Sequence, residues 1–250
     1  MVKKQDPTKN VSLPTESDRL PGLDTLRGFA VLLMLIYHFV YNLVQFKFLT
    51  LNLRSGFWWG LPRFIVFIFL FCVGISLQLT HGKNVRIRSF FKRLGKLTLA
   101  ALLVSLATYG MFPQAWIFFG TLHCIATISL LCLPVLIGQH DFQALPLVLS
   151  LFIWVLQFGF DYGIGWVGQL FPAPTLDFIP FYPWIAVTFF GIYITPWVSP
   201  SLKLKGPIGG LINKYLSPVL NPLGQWAFPI YLIHQPLFWG GTWLVYTYFR

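Results

Sequence analysis

From its N-terminus the chain is polar for about twenty residues, then alternates long apolar runs with short polar or basic breaks. A bilayer core takes about 20 apolar residues of helix. About seven runs approach that length: Leu26–Phe46, Leu61–Leu79, Leu97–Phe112, Trp116–Ile137, Leu145–Phe160, Tyr182–Val198 and Leu223–Tyr246. No two-residue alternation with regular turns appears, which argues against a β-barrel. The pattern predicts an all-α polytopic membrane bundle of about seven transmembrane helices. Residues 1–20 are expected to be a disordered tail and 21–250 a single transmembrane domain. The stretch Asp161–Pro180, rich in Gly, Pro and aromatics, is expected to be an external, partly re-entrant loop. Pro207–Pro218 is expected to be a short interfacial helix. The tail lacks a short apolar core and a small-residue cleavage site, so no cleaved signal peptide is expected.

Composition agrees. Of 250 residues, 56% are apolar or aromatic and only 10% charged, against about 25% charged in soluble domains. So few charges cannot cover a soluble core. A formal charge of +11 would suggest nucleic acid in a soluble protein. Here the basic residues flank apolar runs, so they read as topology and no nucleic-acid partner is expected. Fourteen of them lie in the N-terminal tail and first helical turns (to Arg27), between runs two and three (Lys83 to Lys96), and in Lys203, Lys205 and Lys214. An odd number of spans with a cytoplasmic N-terminus puts all of these on one side, leaving Lys47, Arg54, Arg63 and Arg250 opposite. The chain is expected in a cell's inner (plasma) membrane. Cys72, Cys124 and Cys132 lie in apolar runs without a CxxC, so neither a disulfide framework nor a metal is expected.

Ionisable groups at bilayer depth are functional candidates. His38, His123 and His234 fall inside runs one, four and seven. His38, Tyr41, Asn42 and Gln45 share one helix face. Arg27, eleven residues before His38, points the same way about 16 Å nearer the cytoplasm, with Asp24 beside that stripe. The plainer reading of Asp24 and Arg27 is a helix N-cap with a basic anchor, and that of each histidine is one interhelical hydrogen bond. In run seven, Pro229 and Pro236 bracket His234, and Tyr231, His234 and Gln235 share a face; each proline is expected to break a helical bond. Gly74 and Ser76 read as close-packing positions, Arg63 as an outer anchor, and His81 and His140 as loop residues.

Several stretches together resemble a known family. They are Leu20-Pro-Gly-Leu-Asp-Thr-Leu-Arg-Gly28 with His38 and Asn42; Phe67–Ser76; Phe119-Gly-Thr-Leu-His-Cys124; Pro183-Trp184 with Phe190-Gly191; and Ile230-Tyr-Leu-Ile-His-Gln-Pro236. The chain is similar to small bacterial relatives of the heparan-α-glucosaminide N-acetyltransferase catalytic domain, and its transmembrane domain is accordingly acyltransferase-like. The resemblance implies a transmembrane enzyme that takes acetyl from cytosolic acetyl-CoA and passes it to an amino-sugar or glycan acceptor on the outer side, by N- or O-acetylation. Acetyl-CoA is then the donor substrate, and membrane lipid and the acceptor are partners; a homodimer is left open. On this reading Asp24, Arg27 and Arg93 bind the donor. His38 is the general base or the acyl carrier, oriented by Asn42 or Tyr41. His123 and His234 polarise the thioester carbonyl or orient the acceptor. Two departures stand out. The loop Lys47–Gly60 has no histidine, so the large lysosomal enzyme's luminal-loop histidine has no counterpart. Asn42 stands where small relatives often carry aspartate. Competing readings are a transporter using the histidines as a relay, a bis-histidine haem protein (red, with a Soret band), and a structural bundle.

Overall fold

The computed structural model describes residues 20–139, 141–159 and 175–249. Expectations for the tail to residue 19, His140, the loop up to residue 174 and Arg250 lie outside the described residues. Among those described, the helices are α1 (Pro21–Gln45), α2 (Gly56–His81), α3 (Ile87–Met111), α4 (Thr121–Gly138), α5 (Leu145–Gly159), α6 (Ile185–Val198), α7 (Gly206–Tyr215), α8 (Ser217–Gln225) and α9 (Ala227–Phe249), with a 3₁₀ turn at Ser201–Lys203. Helices α1 to α4 are long and apolar enough to cross a bilayer, and α5 and α6 are shorter apolar helices. The chain is an all-helical polytopic membrane bundle.

Helices α8 and α9 form one nearly continuous path. At the joint, Trp226 N–H donates to the Pro222 carbonyl and Ile230 N–H to the Trp226 carbonyl, 3.0 Å each. Pro229 falls in the first turn of α9, where a backbone N–H has no helical partner, so only Pro236 interrupts that helix. This differs from the expectation of two breaks. Helix α3 also starts ten residues earlier than its apolar run. Lys92, Arg93 and Lys96 therefore lie on its opening turns, where long basic side chains reach the interface while the helix continues.

Two glycine contacts set the architecture. An ideal Cβ on Gly74 would lie 2.3 Å from the Thr188 carbonyl oxygen, and one on Gly191 2.7 Å from that of Phe71, so α2 and α6 meet backbone to backbone. The Thr188 hydroxyl donates to the Leu70 carbonyl across the seam. Helices α1 and α8 approach as closely: a Cβ on Gly28 would fall 1.8 Å from the Leu220 oxygen, and one on Gly224 1.9 Å from the Asp24 oxygen. Small residues allow such approach where lipid supplies no hydrophobic drive between helices. The main core lies between α2, α4 and α6, around Leu70, Cys124, Ile128, Cys132, Val187 and Ile192. Leu99, Leu106, Phe152 and Phe158 are exposed, as expected of a surface facing acyl chains.

Helix α4 begins five residues later than the apolar run at Trp116. Its N-terminus stands opposite Ser105, six residues before the C-terminal end of α3, or about 9 Å short of it. The non-helical stretch 112–120 fills the difference alongside 175–180. Leu176 N–H donates to the Ala115 carbonyl and Ile179 N–H to that of Phe119. Ser105 and Thr108 of α3 bond the backbone of Ile117. Irregular backbone at this depth survives only where protein satisfies its polar groups, and these bonds do so.

Candidate functional site

Helices α1 and α9 run parallel and bring two predicted histidines together. The His38 and His234 ring centroids are 4.8 Å apart, with planes at 74°. Nδ1 of His38 lies 2.9 Å from the Met34 carbonyl oxygen, and Nδ1 of His234 2.7 Å from that of Tyr231. A carbonyl only accepts, so each Nδ1 carries the proton and each neutral ring presents an Nε2 lone pair. Nε2 of His234 is buried and has no partner among the described residues. An unpaired buried acceptor costs about 1–3 kcal/mol, a cost more often met at functional sites than in packing. Tyr37 stands edge-on to His38 at 5.4 Å, and Tyr231 lies 5.7 Å from His234.

Asn42 is fully buried, but it does not bond His38. Its Nδ2 donates to Gln235 Oε1 at 3.1 Å, tying α1 to α9 beside the rings, and its Oδ1 has no partner. The Met34 carbonyl, rather than Asn42 or Tyr41, orients His38.

At the N-terminal face, a cleft of about 380 Å³ opens between α1, α2 and the α8–α9 joint, lined by Leu20, Asp24, Arg27, Ser76, Thr80 and Gln225. Arg27 donates to Asp24 at 3.0 Å and to the Ser76 hydroxyl at 2.6 Å, and the Ser76 hydroxyl donates in turn to the Cys72 carbonyl. Ser76 is thus more than a packing residue: it fixes a guanidinium at the cleft wall. Arg93 is half-buried and within electrostatic reach of Arg27. A guanidinium in the wall of a cleft suits phosphate oxygens; Arg27 stands there, and Arg93 is not among the lining residues.

His123 does not join the pair. Its Nδ1 accepts the Gly120 N–H at 3.2 Å, so its proton is on Nε2, which donates to the Ser105 hydroxyl at 3.1 Å. Both nitrogens are used in closing the start of α4, in the manner of a capping box. Asp177, singled out by no sequence argument, completes that cap. Its Oδ2 accepts from the Thr121 N–H at 3.0 Å and from the Thr121 hydroxyl at 3.2 Å. A carboxylate there suits the helix dipole. Loss of water pushes the Asp177 carboxyl above its ordinary range, while the Thr121 bonds pull it back. Tyr37 and Tyr231 stand one beside each ring of the histidine pair, and Tyr231 packs against the cluster that includes Leu122 of α4. Asp177, bonded to Thr121, thus lies toward the Tyr231 side of the pair. Its one signal in the sequence is that it is the last acidic residue, set in an aromatic and proline-rich stretch.

His81, expected in a loop, is the buried last residue of α2, and its Nδ1 accepts the Arg86 N–H at 3.2 Å. Among the described residues no group of three metal-ligating side chains occurs. No curated protein and no solved structure matches this chain. A family model described as "Heparan-alpha-glucosaminide N-acetyltransferase, catalytic" matches residues 19–236. The aligned stretch takes in α1, with its cleft and His38, and runs through His234. The chain belongs to this family of transmembrane acetyltransferases.

Proposed function

We propose that the chain transfers acetyl from acetyl-CoA, entering at the N-terminal face, to an amine or hydroxyl of a sugar acceptor entering from the opposite face. The observation that carries this reading is the His38–His234 pair, with both Nδ1 protons held by carbonyls and both Nε2 lone pairs presented. Arg27 and Arg93 hold the donor's phosphates, and the pantetheine arm follows the α1 face toward His38. The acceptor nitrogen or oxygen attacks the thioester carbonyl. His38 Nε2 takes the proton it loses, the C–S bond breaks, and CoA leaves as thiolate to be reprotonated. His234 Nε2 lies beside this base and receives or relays its proton. Asp177 draws the acceptor's neutral amine or hydroxyl toward the pair by accepting a hydrogen bond on its second oxygen, while the first caps α4. The route proposed is direct transfer, with His38 as base, and not an acetyl-histidine. Label from acetyl-CoA trapped on the protein without acceptor would contradict it.

Saturating acetyl-CoA is expected to raise the melting temperature of detergent-purified protein, and Arg27→Ala to abolish that shift. A wild-type protein indifferent to acetyl-CoA would remove the donor assignment. Asp177→Asn keeps an oxygen for the Thr121 N–H but drops the charge. It is expected to raise the acceptor KM about tenfold or more, as loss of a charged partner does, and to leave the acetyl-CoA shift intact. An unchanged acceptor KM would reduce Asp177 to a cap.

A further inference from the structure

We propose that α7 docks on the anionic headgroup layer of the leaflet at the N-terminal face, an interaction that stands apart from the acyl-transfer site. Ile208, Leu211 and Tyr215 are 76%, 58% and 63% exposed. Their i, i+3, i+7 spacing makes one apolar stripe, continued by Leu216 and Val219, which are also exposed. On the other side, Gly209 is buried against the Leu204 backbone, where a Cβ would meet the carbonyl carbon at 2.4 Å. Leu204, in the left-handed conformation (φ 52°), turns the chain into this helix.

Charge names the partner. Lys203, Lys205 and Lys214 are all exposed, and Lys214 Nζ stands 5.1 Å from the Tyr215 ring. No acidic residue follows Asp177 in the sequence, and the ion pair found among the described residues is Asp24–Arg27. Three uncompensated lysines around an exposed apolar stripe match an interfacial helix on anionic lipid. The position fits as well: a Cβ on Gly22, in the first turn of α1, would lie 2.8 Å from the Leu202 oxygen. The Thr25 hydroxyl donates to Asn221 Oδ1 at 2.7 Å. The segment carrying α7 is therefore keyed to the cytoplasmic end of α1, at headgroup level.

The test is backbone hydrogen exchange of the full chain in nanodiscs of phosphatidylcholine with and without phosphatidylglycerol. Amides of Gly206–Tyr215 are expected to exchange about tenfold or more slowly with the anionic lipid, and added salt to erase the difference. The variant K203Q/K205Q/K214Q is expected to lose the difference while melting like the parent in neutral nanodiscs, because those lysines make no ion pair among the described residues. Equal exchange in both lipids, or a difference that survives the triple substitution, overturns the proposal. Protection that follows protein concentration instead of lipid charge assigns the face to a second copy and also overturns it. Protection reproduced by soluble glycerophosphate in neutral nanodiscs reassigns it to a free phosphate, with the same consequence.

Discussion

His38→Ala is expected to lower acetyl transfer by about 10²- to 10⁴-fold, the usual contribution of a positioned general base, with kcat and kcat/KM falling together. The fold should persist. Among the described residues His38 bonds only the Met34 carbonyl of its own helix, so its loss costs about 1 kcal/mol of hydrogen bonding. His234→Ala is expected to act in the same direction. If the two rings work as one unit, the double variant loses little more than either single one. Initial rates of acetyl transfer with both substrates varied separate the cases. Near-normal transfer by His38→Ala would disqualify His38 as the base.

The second large effect concerns the frame that holds the cleft. Gly28→Ala puts a methyl 1.8 Å from the Leu220 carbonyl oxygen, 2.6 Å from its carbon and 3.0 Å from its Cα. Backbone cannot rotate away as a side chain can, so α8 must leave α1, carrying Gln225 out of the cleft wall. Gly224→Ala meets the Asp24 oxygen at 1.9 Å and forces the same separation. Each is expected to cost about 1–3 kcal/mol or more, read as a fall in melting temperature, and to abolish stabilisation by acetyl-CoA. Gly240→Ala and Gly241→Ala are the matched controls: nothing lies within 4 Å of either added Cβ, and alanine favours helix by about 1 kcal/mol. Equal melting of all four variants would remove the glycine contact from the account.

Much of this could be read along the chain because membranes impose simple rules. Apolar runs mark the helices, and an imidazole inside a run stands out, although the basic break before run three lies largely within α3. The spacing of Arg27 and His38 predicts one face of α1; in the structure Arg27 bonds Ser76 of α2 and His38 faces His234 of α9. What the pattern could not carry is which helix meets which. His123 looks equivalent to His38 in sequence, yet its nitrogens are consumed by Gly120 and Ser105. That outcome depends on where the stretch 112–120 turns inward. Asp177 escaped for the same reason: it lies outside every apolar run and reaches the site only because its loop pairs with that stretch. The two prolines of run seven look alike too, but one falls in a helix's first turn, where it disturbs nothing. Helix ends are set by hydrogen-bond partners from elsewhere in the fold.

The most direct measurement uses sealed proteoliposomes with the N-terminal face outward, radiolabelled acetyl-CoA outside and glucosamine trapped within. Labelled N-acetylglucosamine should accumulate inside with the wild-type protein and fail to form with His38→Ala, although neither substrate crosses the bilayer. Product that requires donor and acceptor on the same side, or that forms equally well without His38, would contradict transfer through the imidazole pair between α1 and α9.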